Sequence, residues 1–153
     1  MSAVLSLGAN LGDRLAALQS AVDLLHPTEV SPVYQSDPVG GPEQPAYLNA
    51  VVLVDLDAAA AWSLAQQAEA AAGRRRDVRN GPRTLDVDVV QADGSSPDLR
   101  LPHPRAHERA FVLAPWHDLR PDAVLAGHGR VAGLLAAVGT AGVRRRDDLV
   151  LRP

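Results

Sequence analysis

The chain has no cysteine, which excludes disulfides and thiolate metal sites and leaves a reducing compartment open to it. It also has no lysine: all 15 basic residues are arginine. Schiff-base chemistry and a P-loop lysine are therefore excluded, and any phosphate clamp must come from Arg, backbone amides or metal. Arg suits that task through its planar fork of donors. Aromatic residues make up only 3% of the 153 residues, so each one is worth locating. No apolar run approaches the length of a membrane span. The N-terminal Met1-Ser2-Ala3-Val4-Leu5-Ser6-Leu7 lacks the basic region of a signal peptide. The expectation is a cytoplasmic protein with no membrane association. A formal charge of −3 argues against a general nucleic-acid binder, whose affinity comes mainly from neutralising phosphates. Length and a 46% hydrophobic content fit one globular domain over residues 1–153.

The most informative stretch is Arg83-Thr84-Leu85-Asp86-Val87-Asp88-Val89-Val90, which follows the turn cluster Asn80-Gly81-Pro82. Leu85, Val87 and Val89 fall on one face of a strand, and Thr84, Asp86 and Asp88 on the other. Two residues apart on a strand is roughly 6.6 Å, so the two carboxylates lie side by side. At an effective dielectric near 20 they repel by about 2.5 kcal/mol. Either the pair is simply a solvated face, or it holds a hard divalent cation such as Mg²⁺, which takes few carboxylates and substrate phosphates.

Elsewhere the pattern predicts a strand at Ala3–Leu7, then a helix with apolar positions Leu11, Leu15, Leu18, Val22 and Leu25, capped by Asn10. A second strand is expected over Val30–Gln35, placed at an edge or bulge by Pro32. A Pro/Gly-rich loop then leads to a strand from Tyr47 to Leu56. On it Tyr47 and Asn49 share one face, and Leu48, Ala50, Val52 and Val54 share an apolar one. An aromatic and a fixed amide beside a loop suit a planar heterocycle, and equally suit a partly buried Tyr and a strand-end Asn. An Ala-rich helix runs from Asp57 to Ala72 and stops at Gly73. The following Arg74-Arg75-Arg76-Asp77-Val78-Arg79 run is either a solvated loop or a polyphosphate clamp beside the Asp pair. His103 and His107 are four apart, but Pro104 intervenes and no third zinc ligand is evident. A helix over Val131–Val138 precedes Arg144-Arg145-Arg146-Asp147-Asp148, read as solvated surface. The element order fits an α+β, ferredoxin-like sandwich: a mainly antiparallel sheet with helices packed on one face.

Four segments together resemble one family: Leu7-Gly8-Ala9-Asn10-Leu11-Gly12-Asp13, Gln44-Pro45-Ala46-Tyr47-Leu48-Asn49-Ala50, Gly81-Pro82-Arg83-Thr84-Leu85-Asp86-Val87-Asp88, and Leu101-Pro102-His103-Pro104-Arg105 through Glu108-Arg109-Ala110-Phe111-Val112-Leu113. They look like the 6-hydroxymethyl-7,8-dihydropterin pyrophosphokinases of folate biosynthesis over roughly residues 2 to 125. The resemblance implies an enzyme that transfers pyrophosphate from ATP to the pterin hydroxymethyl group, releasing AMP, with two Mg²⁺ ions bound with ATP. It implies that Asp86 and Asp88 are metal ligands, and that Tyr47, Asn49 and Phe111 bind the pterin. Arg74 and Arg83 would engage ATP and promote transfer. Gln66, Glu69, His103 and Arg109 would complete the ATP site. ATP and the pterin would be its partners, with no nucleic acid, and the chain would act as a monomer. Asn80 departs from members with Trp before Gly-Pro-Arg, and the 74–83 loop is one residue shorter than in some. Asp98 stands where some members carry a basic phosphate contact; Arg100 is the nearby substitute. The competing readings are another Mg²⁺-dependent phosphoryl or nucleotidyl transferase, and an RNA-binding module using the Arg74–Arg79 run.

Overall fold

The computed structural model describes residues 1–38, 45–73 and 85–153. Strand β1 spans Ala3–Ala9 and continues through Gly8, where the sequence pattern ended it. Helix α1 covers Arg14–Leu25. Its cap is Asp13, whose carboxylate accepts from the Ala16 N–H at 3.0 Å, and not Asn10. Asn10 is instead buried, and its Nδ2 donates to the Pro45 carbonyl at 3.2 Å. With Arg14 Nη1 donating to the Ala46 carbonyl at 2.9 Å, this turn fixes the entry to the next long strand.

The stretch expected as one strand over Val30–Gln35 is two short ones, β2 (Glu29–Val30) and β3 (Tyr34–Ser36). Pro32 cannot donate to a ladder, and here the strand breaks. Ser31 bridges the gap: its N–H donates to the Val51 carbonyl at 2.9 Å, and its hydroxyl accepts the Val51 N–H at 2.9 Å. Strand β4 spans Tyr47–Val54, and α2 spans Ala58–Ala71 with Asp57 as its cap. Strand β5 spans Asp86–Ala92. The main sheet runs β5-β1-β4-β3 and ends on β8 (Val143–Arg145), with β2 also on β4, and every pairing is antiparallel.

Helices α1 and α2 cover one face. There Leu5, Leu7, Leu48, Ala50, Val52, Leu85, Val87 and Val89 form a buried apolar layer with Leu18, Val22, Ala61 and Ala65. The opposite face is covered too, which corrects the one-sided arrangement expected from sequence. Helix α3 (Ala110–Leu119) packs Val112, Leu113 and Trp116 against Val51 and Val90. Pro115 lies inside α3 and Val112 is β-branched, both poor helix signals, and the sequence pattern assigned no helix there. Burial of its apolar side chains outweighs those preferences. A small hairpin, β6 (Val124–Leu125) with β7 (Gly129–Arg130), and helix α4 (Val131–Val138) complete this layer. Among the described residues no helix is long and apolar enough to cross a membrane.

The Arg-rich tail is not free surface. Its first part forms β8 beside β3. Arg146 N–H donates to the Val33 carbonyl at 2.8 Å, and Arg146 Nη1 donates to Gln35 Oε1 at 2.7 Å. An arginine that ends a run of three looks solvated in sequence, yet its backbone N–H bonds to the loop before β3 and its charge meets Asp148 at 2.8 Å.

Candidate functional site

The site lies on the α3 side of the sheet. Register places Asp86 of β5 opposite Gly8 of β1, and Gly8 opposite Asn49 of β4. One row of the sheet therefore reads Asp86, Gly8, Asn49. At about 4.8 Å per strand step, the carboxylate strand and the amide strand are about 10 Å apart, with only a glycine between. Gly8 leaves the floor flat. A Cβ there would stand 3.3 Å from Asn49 Nδ2 and 3.5 Å from Tyr47 Cδ2. In the adjacent row, Asp88 lies opposite Ser6.

Above this floor is a cavity of about 810 Å³. It is lined by Asp86, Asp88, Tyr47, Asn49, Phe111, His103 and Arg109, seven of the residues singled out from sequence, now in one place. The period-2 reading of the strand holds. Leu85, Val87 and Val89 are core, while Asp86 and Asp88 are half-buried and face the cavity. Arg109, at the start of α3, sets its Nη1 3.8 Å from Asp88 Oδ2, and its guanidinium lies 5.5 Å from the Phe111 ring centroid. One cation thus touches both the acidic end and the aromatic wall. Such a contact with a ring face contributes about 0.5–1 kcal/mol where solvent reaches it.

Asn49 is buried, and its Oδ1 accepts from the Ser36 hydroxyl at 2.5 Å. That bond fixes which way the amide faces and places the Nδ2 donor over Gly8. His103 is held by its own backbone, whose N–H donates to the Val90 carbonyl at 2.7 Å, and its Nδ1 accepts from the Arg105 N–H at 3.2 Å. Burial, then the positive charge of Arg109, push its pKa below the ordinary histidine value. The imidazole is therefore a neutral donor and acceptor near pH 7.

Asp86 and Asp88 suit a hard cation that takes two carboxylates and fills its remaining positions with water and phosphate oxygens. Among the described residues no cluster of three or more His, Asp or Glu exists, so no closed protein cage competes with that arrangement. His107, the other half of the His pair considered for zinc, stacks on His128 at 4.2 Å instead.

Two expected residues do not line the cavity. Gln66 is exposed on α2. Glu69 is buried, and its Oε2 accepts from the Val87 N–H at 2.8 Å. Arg74 and Arg83, with Arg76 and Asn80, lie outside the described residues. The cavity also takes residues that sequence reasoning passed over: Gly8, Ser6, Ser36, Asp37 and, from the far end of the chain, Val138, Gly139, Ala141, Gly142 and Val143. A glycine inside a strand was the available signal for the first, since it marks close approach.

The model of the 7,8-dihydro-6-hydroxymethylpterin-pyrophosphokinase family matches residues 4–121. The chain belongs to this family. It is 50% identical over 145 residues to the 2-amino-4-hydroxy-6-hydroxymethyldihydropteridine pyrophosphokinase of Mycobacterium leprae, covering 83% of this chain and 76% of that one. The protein of the same name from Pseudomonas aeruginosa is 38% identical over 151 residues, covering 92% and 93%. The same fold is also seen in a crystal structure of Plasmodium falciparum HPPK-DHPS. It matches with a TM-score of 0.69 at 12% identity over 94% of this chain. The chain spans about half the length of that protein, 47%.

Proposed function

We propose that the chain transfers the terminal pyrophosphoryl group of ATP to the hydroxymethyl oxygen of 6-hydroxymethyl-7,8-dihydropterin, a step of folate biosynthesis. The observation that carries this reading is one cavity with two chemically distinct ends. Asp86, Asp88 and Arg109 form a charged end, Tyr47 and Asn49 line the part about two strands away, and Phe111 of α3 lines the cavity beside Arg109. Family membership supports it independently.

The flat pterin lies over Gly8, its faces against Tyr47 and Phe111, with the Asn49 amide donating to its edge. That pose directs the hydroxymethyl group toward β5. Asp86 and Asp88 would hold the two Mg²⁺ ions that come with ATP. Magnesium supplies charge neutralisation across the polyphosphate during an in-line displacement. The hydroxymethyl oxygen bonds to the β-phosphorus as the bond from that phosphorus to the α,β-bridging oxygen breaks; the hydroxyl proton passes to solvent and AMP leaves with the bridging oxygen. Arg109 adds a fixed positive charge where negative charge develops, and it costs no reorganisation because Asp88 already holds it. Arg74 and Arg83 act on the phosphates from the segment between α2 and β5. His103, Gln66 and Glu69 belong to the nucleotide side. Residues 1–153 form a single domain that acts as a cytoplasmic monomer.

The test is AMP release from ATP with Mg²⁺. It should require hydroxymethyldihydropterin and yield the pterin diphosphate in equal amount. AMP or ADP formed at the same rate without the pterin would show a different transferase.

A further inference from the structure

Arg100, the substitute expected for a phosphate contact at Asp98, is exposed and does not line the cavity, and neither does Asp98. Arg105 does line it, from the loop between His103 and Arg109, and so does Glu108. After burial, the charges acting on the His103 imidazole are those of Arg109, Asp86 and Arg105. Arg105 therefore stands with the groups of the charged end, and not with Tyr47 and Asn49.

The two cavity arginines are held differently. Arg109 is turned to Asp88, with Nη1 3.8 Å from Oδ2. Arg105 rests on its own turn: its Nε donates to Glu108 Oε1 at 3.0 Å, three residues on. That bond holds the Glu108 carboxyl below the usual carboxylate range, so the pair is ionised near pH 7. Yet the side chains are 59% and 51% exposed, and an ion pair this open to solvent is weak and easily exchanged. A polyphosphate offers several anionic oxygens, and the planar fork of arginine meets two at once. The backbone beneath is fixed. Arg105 N–H donates to His103 Nδ1 at 3.2 Å, and Glu108 N–H donates to the Arg105 carbonyl at 3.1 Å. An exchange of partners moves side chains only.

We propose that Arg105 is a nucleotide-binding arginine of this chain and that Glu108 is its latch: without nucleotide the guanidinium rests on Glu108, and the ATP polyphosphate draws it off. The inference rests on the pyrophosphokinase reading. The latch has a physical purpose. A guanidinium left loose at this end would fold onto Asp86 and Asp88 and compete with the cations they suit. Parked on Glu108, it stays at the cavity wall, within a side chain's swing of an incoming phosphate. Glu108 is thus a positioning residue, acting on the nucleotide through Arg105.

The test is equilibrium binding by calorimetry to the full chain. One probe is a nonhydrolysable ATP analogue with Mg²⁺; the other is the stable analogue 6-hydroxymethylpterin. Arg105→Ala should bind the nucleotide probe about tenfold or more weakly, the loss expected for hydrogen bonds to charged groups, and the pterin within twofold of wild type. Glu108→Gln, which keeps the size and drops the charge, should bind the nucleotide probe at least threefold more tightly. The double variant separates a latch from a plain repelling charge. In the Arg105→Ala background, Glu108→Gln should gain less than twofold, because no guanidinium is left to release. An Arg105→Ala chain with wild-type nucleotide affinity overturns the inference. So does one that loses both probes equally, which would make the arginine a support of the turn. Equal gains from Glu108→Gln in the two backgrounds overturn the latch. In each of these cases the pyrophosphokinase reading stands, since Asp86, Asp88 and Arg109 are untouched. A wild-type chain that binds neither probe refutes both.

Discussion

Gly8→Ala separates the floor of the site from the stability of the sheet. Gly8 lies in the interior of β1, and its φ is not in the left-handed region, so alanine fits the backbone. Removing a glycine from the unfolded chain favours folding by about 0.4–1 kcal/mol. Against that, the new methyl would stand 3.3 Å from Asn49 Nδ2 and 3.5 Å from Tyr47 Cδ2, so both must yield by a few tenths of an ångström. Asn49 yields reluctantly because Ser36 holds its other end at 2.5 Å. Overpacking of this kind costs about 1–3 kcal/mol, and the net is a loss of about 1 kcal/mol. For a chain of this size that is roughly 2–4 °C in Tm. Ligand binding should respond more. A ring resting on the glycine backbone would be lifted by about one carbon–carbon bond, 1.5 Å. Gaps of about 0.5–1 Å already forfeit a quarter to a half of each dispersion contact. A loss of about 1–2 kcal/mol, or roughly 5- to 30-fold in pterin affinity, is expected, with Mg-ATP analogue binding little changed. Calorimetry with 6-hydroxymethylpterin, alongside a thermal melt, reads both quantities. Unchanged pterin affinity in a folded Gly8→Ala chain would refute the placement of the ring over β1.

Asp86→Ala or Asp88→Ala should lower turnover about 10³-fold or more while leaving the melt intact; near-normal turnover at saturating Mg²⁺ would remove the metal assignment. Tyr47→Ala and Phe111→Ala should each weaken the pterin by about 1 kcal/mol or more and ATP much less; equal losses for both ligands, read by calorimetry, would contradict a pterin-specific wall. The depressed pKa of His103 means that the unfolded chain binds more protons there. Its contribution to stability is therefore full above the unfolded value near 6.5 and is lost as pH falls toward the folded value. Urea melts should show His103→Gln flattening that part of the profile, and an unchanged slope would exclude the group. Tyr34→Phe removes the hydroxyl that donates to Asp118 at 2.5 Å, a contact that holds β3 to α3. The expected cost is about 1 kcal/mol, since the pair is only partly shielded from solvent; a melt equal to wild type would show that the contact contributes nothing.

Much of the site was legible because its chemistry is written in strands. The alternation at 85–89 and at 47–54 decided which side chains face the core and which face the cavity, and register then brought Asp86 and Asn49 into one row through Gly8. Helix α3 was not legible, since Pro115 and Val112 disguise it, and so the second covered face of the sheet was missed. The tail was misread for the opposite reason. Arg144 to Asp148 has the composition of surface, but sheet pairing uses backbone, which composition does not report. Asn10 looked like a cap because it precedes a helix, and the Asp13 carboxylate three residues later took that role. Gln66 and Glu69 came from resemblance alone, and the cavity lining does not include them.

What Glu69 does within the fold follows from where β5 sits. Among the described residues, the strand that carries both cavity-facing carboxylates is at the edge of the sheet, paired on one side only, by β1. An edge strand is the least constrained place to hold two repelling charges in register, and its outward N–H and C=O groups need partners. Both needs are met from outside the sheet. Glu69, buried on α2, accepts the N–H of Val87, the residue between Asp86 and Asp88. Farther along, the register shifts at Val90, and the Val90 carbonyl accepts the His103 N–H at 2.7 Å. The outer edge of β5 is thus fastened on either side of Asp88, once by a helix from the core side and once by the loop that roofs the cavity. The spacing of the two carboxylates is set by β1, α2 and the His103 loop together, so the pair is held rigidly although its strand has one neighbour among the described residues.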